Sequence, residues 1–259
     1  MRIRDPEGVE LKHILKYADF DGKKVLEIGC GDGRLTYKYA ALTEHVIAID
    51  PSMEEIKKAI EKIPSHLTAK LEFREGGGES LPFSDNSFDI VFFTYSLCCF
   101  DGLEEMKNGV DEAWRVLKPN GGILIGLQPS LHQPFKGNRG SVLHLISRKP
   151  GDLVNYDGGD WTEKKTLSLY TLKKATLYDH KFEAIIDENF TRNTYYNTIE
   201  EVIDEVGIDL KGSLEKTLNP QTYNELKQIA KSLTTPRGIC IRQNVVISVL
   251  RKLAACKTD

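Results

Sequence analysis

Among these 259 residues no stretch approaches the roughly 18 consecutive apolar residues of a membrane span, which argues against a membrane helix. The first residues, Met1-Arg2-Ile3-Arg4-Asp5, lack the apolar core of a secretory leader. Blocks of like charge are missing too. Against 38 Asp and Glu stand 35 Lys and Arg, a net charge of −3, so electrostatics gives no argument for a nucleic acid or an anionic membrane as partner. The five cysteines (Cys30, Cys98, Cys99, Cys240, Cys256) are odd in number and show no C-x-x-C spacing. That argues against both a zinc site and a disulfide framework. No internal repeat or low-complexity linker interrupts the chain. The expectation is a reduced, cytoplasmic chain without a metal, folded as one domain over residues 1–259.

What is present is organised around Val25-Leu26-Glu27-Ile28-Gly29-Cys30-Gly31-Asp32-Gly33-Arg34-Leu35-Thr36. The apolar run Val25–Ile28 reads as a buried strand and Leu35 onward as a helix, with three alternate glycines filling the turn. Glycine is costly in regular elements and suits a turn that needs positive φ or close backbone approach. A strand that runs through such a turn into a helix N-terminus offers free N–H groups and a positive dipole end to a ligand. Seventeen positions past Gly33, a second apolar run, Val46–Ile49, ends on Asp50. In nucleotide-binding α/β folds an acid at about that distance accepts hydrogen bonds from a ribose.

The glycines run G-x-G-x-G, not the G-x-G-x-x-G of dinucleotide sites, which argues against a nicotinamide-dependent oxidoreductase. Glu27 precedes the first of them by two residues. Glu27-x-Gly29-x-Gly31-x-Gly33 resembles the first motif of the class I S-adenosylmethionine (SAM)-dependent methyltransferases. Glu79-Ser80-Leu81-Pro82-Phe83, Phe88-Asp89-x-Val91 and Arg115-Val116-Leu117-Lys118-Pro119-x-Gly121-Gly122 resemble the type 11 branch, related to the ubiquinone and menaquinone biosynthesis methyltransferases. The motifs cover about residues 22–127. The resemblance implies a Rossmann-like α/β fold, a mostly parallel seven-stranded sheet with helices on both faces and an inserted substrate cap. It implies SAM as cofactor. Contacts would come from Glu27, Gly29, Cys30, Gly31 and Gly33, and from Asp50 on the ribose, followed by Pro51. Met53 would lie against the adenine, and Gly78, Glu79, Thr94 and Tyr95 would complete the set. One departure stands out: Gly77 occupies the place where the family usually carries an aspartate for the adenine amino group, leaving adenine to backbone and packing alone, or to Glu75 or Glu79 from nearby. No Asn/Asp-Pro-Pro-Tyr/Phe follows the strand at Phe93, which argues against amino-group methylation of the kind that motif serves.

The remaining elements follow from periodicity and caps. Asp5-Pro6-Glu7 starts a helix ending near Gly22, with Leu11, Ile14, Leu15 and Ala18 on one face. Leu35, Tyr39 and Leu42 stripe the next, and Ser52 with Glu55 forms a capping box. Strands are expected at 71–75, 88–93, 123–127, 182–190 and 244–250, and helices at 101–117, 198–206 and 221–233. Residues 129–180 read as the cap, with Tyr156, Trp161 and Tyr170 suiting a flat or apolar acceptor. Because SAM is already activated, no catalytic residue is required, though an oxygen acceptor could use His132, His144, His180 or a tyrosine as base. The expected function is methyl transfer to a small molecule. An RNA or protein acceptor, or a non-catalytic SAM-binding protein, is the alternative, and oligomeric state stays open.

Overall fold

The computed structural model describes residues 2–100, 102–119, 121–129, 182–205 and 220–253. Its strands are β1 (Ile3–Arg4), β2 (Lys24–Ile28), β3 (His45–Asp50), β4 (Leu71–Glu75), β5 (Ile90–Thr94), β6 (Ile123–Pro129), β7 (Phe182–Tyr196), β8 (Thr234–Thr235) and β9 (Gly238–Lys252). Its helices are α1 (Val9–Tyr17), α2 (Thr36–Tyr39), α3 (Met53–Glu61), α4 (Leu103–Val116), α5 (Ile199–Glu205) and α6 (Pro220–Ser232). Among the described residues seven strands have five or more residues, and β1 and β8 have two each. No described helix is long and apolar enough to cross a membrane.

The chain divides into two compact units. The larger comprises Leu11–Pro129, Lys164–Asn189 and Val246–Asp259. Its parallel strands stand in the order β6-β5-β2-β3-β4, with β9 on the far side of β6. Four of five residues of β2 and of β5 are buried, as befits parallel strands covered on both faces. One face packs Leu26, Ile28, Val91, Phe93 and Leu124 against Met106, Val110, Ala113 and Val116 of α4. On the other, the Tyr39 ring sits 5.1 Å from Phe20 and 5.9 Å from Phe92. The chain builds β2, β3 and β4 outward, then returns to lay β5 on the opposite side of β2. Strand order therefore reverses between β2 and β5, and the crevice at their carboxyl ends is where open α/β sheets bind ligands.

The smaller unit comprises Met1–Glu10, Ser130–Glu163 and Phe190–Val245. Within it β1 pairs antiparallel with β7, and the Arg192 guanidinium meets Glu10 at 2.8 Å with both side chains at or below 5% exposure. Arg192 also donates to Thr194 Oγ1 at 2.9 Å, so the buried cation is paired and hydrogen-bonded.

Several boundaries differ from the sequence expectation. Helix α1 begins at Val9 and ends at Tyr17. Asp5, at φ 50°, caps it from a distance, accepting from Val9 N–H (2.9 Å) and Glu10 N–H (3.0 Å). The helix after the glycine turn stops at Tyr39 and tightens into a 3-10 turn, which leaves Leu42 44% exposed. β7 continues six residues past Phe190, and β9 starts six before Asn244. The Ser52 cap is present as expected, its hydroxyl accepting from Glu55 N–H at 3.3 Å.

Candidate functional site

The glycine turn follows β2 directly. Gly29, Gly31 and Gly33 take φ values of 79°, 55° and 78°, a region side chains rarely adopt. At two of them space is closed as well. A Cβ on Gly29 would overlap Ser96 Cβ and lie 2.8 Å from its Oγ, and one on Gly33 would lie 2.7 Å from the Tyr37 ring and 2.8 Å from Phe73. Gly31 is the exception: a Cβ there would meet nothing within 4 Å among the described residues. The middle glycine therefore faces open space while its neighbours pin the turn.

Asp50, half-buried at the end of β3, reaches this turn. Its Oδ2 accepts from Gly31 N–H at 2.8 Å, and its Oδ1 from Ser52 N–H at 2.9 Å. Each carboxylate oxygen keeps lone-pair capacity, since a carboxylate accepts about four hydrogen bonds. The pairing that sequence spacing suggested is thus a direct contact between the two loops. Cys30 is 8% exposed; burial first, then Glu27 and Asp50, pushes its thiol well above the ordinary range and keeps it protonated. Beside it, Lys62 grips Asp32 at 2.7 Å, and its hydrogen bond and charge outweigh partial burial and hold that carboxyl below its usual value.

Glu27 lies within β2, two residues before the first glycine of the turn. It is fully buried, and its oxygens accept from the hydroxyls of Thr36 (2.6 Å), Tyr39 (2.7 Å) and Thr94 (2.7 Å). Burial raises its carboxyl above the ordinary value, against the three donors that oppose the rise. Glu27 is therefore a tie between β2, α2 and the end of β5. Sequence reasoning missed this network. Its signal was an acid inside an apolar strand with hydroxyl residues nine and twelve positions on.

At the end of β5 the half-buried Thr94 spends its proton on Glu27, and Ser96 Oγ donates to Ile28 O at 2.5 Å. Between them Tyr95 sits at φ 57°, a strained backbone for a bulky residue, with its N–H on Leu127 O at 2.7 Å. After β4, Gly78 is buried so tightly that a Cβ would stand 2.9 Å from both Ile28 and Phe100. A Cβ on Gly77 would overlap the carboxylate of Glu79, so Glu79 fills the space a side chain at 77 would use. Pro51 is exposed, and Met53, opening α3, is 41% exposed. Turn, Asp50 and β5 end converge; Glu79 belongs to the loop after β4, and Met53 to the first turn of α3.

The candidate bases His132, His144 and His180, the aromatics Tyr156, Trp161 and Tyr170, and all but the first residue of the expected cap lie outside the described residues. A separate depression of about 1,000 Å³, lined by residues such as Phe20, Leu42, Thr43 and Lys70, lies at the amino ends of the strands and contains none of the candidate residues.

Comparison with known proteins finds similarity to methyltransferases. The methyltransferase domain family matches residues 26–125. The uncharacterized methyltransferase YcgJ of Bacillus subtilis is 31% identical over 120 residues, 46% of each chain, so the matched part spans about half of that relative. The ubiquinone/menaquinone biosynthesis C-methyltransferase UbiE of Erwinia tasmaniensis is 26% identical over 182 residues, 68% of this chain and 69% of its own. The crystal structure of YcgJ superposes with a TM-score of 0.57 at 19% identity, covering 94% of this chain and 97% of that one.

Proposed function

We propose that this member of the class I SAM-dependent methyltransferases moves a methyl group from SAM to a neutral small-molecule acceptor by in-line displacement. The observation that carries the reading is the joint between the glycine turn and Asp50 at the strand-order reversal, with open space above Gly31. SAM supplies a methyl group on a sulfonium, already activated toward a nucleophile. The chain's own work is then to bind, orient and exclude water.

Asp50 is the residue assigned to the ribose hydroxyls. Its two backbone donors fix the carboxylate rotamer and leave lone pairs toward the crevice. Gly29, Cys30, Gly31 and Gly33 supply the backbone wall, Pro51 and Met53 the side next to Asp50. Gly78 offers its backbone to the adenine. Glu79, occupying the space beside Gly77, is the acceptor for the adenine amino group in place of the missing aspartate. Glu27 is a positioning residue that orients Thr94 next to Tyr95. UbiE carries a quinone-biosynthesis C-methyltransferase name, and at 26% identity it supports a small ring-bearing acceptor as the first class to test.

The test is calorimetric titration with SAM, S-adenosylhomocysteine and NAD. Binding of both adenosyl ligands and not NAD is expected. Asp50→Ala should weaken SAM at least tenfold, about 1.4 kcal/mol. Unchanged affinity in that variant would place the cofactor elsewhere.

A further inference from the structure

The end of β6 holds a polar group that no other described residue satisfies. Gly126 and Gln128 alternate onto the same face of the sheet as Leu124, which packs in the core beside Val91 and Phe93. Toward the carboxyl end that face opens: a Cβ on Gly126 would meet nothing within 4 Å among the described residues. Two residues on, Gln128 is 7% exposed, and among the described residues neither its side-chain carbonyl nor its amino group has a hydrogen-bond partner. A buried amide left unpaired is costly and uncommon in native proteins. Just past the end of β5, the Ser96 proton is already engaged on Ile28 O. Tyr95, paired through its backbone with Leu127, adds a strained residue at the same strand ends.

We infer that Gln128 is an acceptor-binding residue, whose buried amide hydrogen-bonds a neutral hydroxyl or carbonyl oxygen on the methyl acceptor. The inference rests on the methyltransferase reading and deepens it. An amide supplies both a donor and an acceptor and no countercharge, so it matches a hydroxyl, which also does both, and offers nothing to neutralise a carboxylate or an amine. The missing side chain at Gly126 leaves room beside it for the group that carries the oxygen. The unpaired amide is then a cost carried by the free protein, the usual trade between stability and function at a binding site.

Two probes differing in one group separate this from mere packing: 2-naphthol and 2-methylnaphthalene, titrated into the full chain with S-adenosylhomocysteine present. Gln128→Met, close in volume, should weaken 2-naphthol at least tenfold and leave 2-methylnaphthalene and S-adenosylhomocysteine within twofold. The ligand-free variant should melt at the same temperature as the parent protein or higher, since an apolar group replaces an unpaired amide. Equal loss of both probes, no loss of 2-naphthol, or no saturable 2-naphthol binding by the parent protein would overturn the assignment. So would a lower melting temperature, which would show the amide to be structural. Failure of the parent to bind S-adenosylhomocysteine would count against the methyltransferase reading itself, and the melting comparison still decides Gln128 in that case.

Discussion

The contact between Gly29 and Ser96 can be tested as a double-mutant cycle. Alanine at Gly29 incurs two separate penalties. Holding a side chain at φ 79° costs about 1–2 kcal/mol. Overlap with Ser96 Cβ adds about 1–3 kcal/mol of overpacking. Ser96→Gly alone loses the hydroxyl bond to Ile28 O, about 1 kcal/mol, and gains backbone freedom in the unfolded chain, about 0.5–1 kcal/mol. In the double variant the overlap has no partner, so only the φ penalty and the Ser96 losses remain. The pair should therefore be more stable than the sum of its singles by about 1–3 kcal/mol, a coupling of the usual size for residues in contact. Urea unfolding followed by circular dichroism, with the slope compared across all four proteins, gives the number. If Gly29→Ala does not fold, recovery of a cooperative transition in the double variant carries the same information. Additivity within about 0.5 kcal/mol would refute the claim that Ser96 is what excludes a side chain at Gly29.

Two further outcomes follow from groups near the same strands. Glu27→Ala leaves the Thr36 and Tyr39 hydroxyls fully buried without their acceptor, and should cost about 3–5 kcal/mol in urea unfolding, from about 1–3 kcal/mol per unpaired group plus a cavity; a loss under about 1 kcal/mol would show that the network is not a tie. Asp89 accepts from Lys24 N–H and Lys118 Nζ, which outweigh its partial burial and hold its carboxyl below the ordinary value. A carboxyl lowered on folding stabilises the protein above its unfolded pKa of about 3.9, and that stability is lost as pH falls through the folded value. Asp89→Asn should thus flatten the acid limb of stability measured below about pH 5, and an unchanged limb would show the group to be unimportant to acid unfolding.

The parts legible in sequence were those whose signal is local. Val25–Ile28, the glycines and Val46–Asp50 announce strands, turn and acid within 26 residues, and the structure brings them into contact. Ser52 and Glu55 lie three apart, and the cap forms as written. What was not legible depends on partners far away in sequence. The hydrogen bonds that Glu27 accepts from Thr36, Tyr39 and Thr94, the last 67 positions on, show only in the structure. Leu42 fits a helical stripe, but the helix has already tightened, and nothing in the local pattern shows it. Asp5 caps α1 across four and five residues instead of two or three, because Ile3 and Arg4 are held in a strand against β7. Gln128 falls where motif resemblance ends, and its isolation is visible only once its surroundings are.

Strand order also sets a timetable. The glycine turn, Asp50 and the β5 end are all synthesised by residue 96, so the cofactor crevice can assemble early from neighbours close in sequence. β6 then leaves the ribosome with one edge on β5 and the other bare. The strand that covers it, β9, begins at Gly238, 109 positions after β6 ends at Pro129. At about 5–20 residues per second, that interval lasts roughly 5–20 seconds. During it the nascent chain presents an apolar strand edge, the feature most prone to mispairing with a second copy. Slowed translation between residues 129 and 238 would lengthen that exposure without altering a single contact of the finished fold.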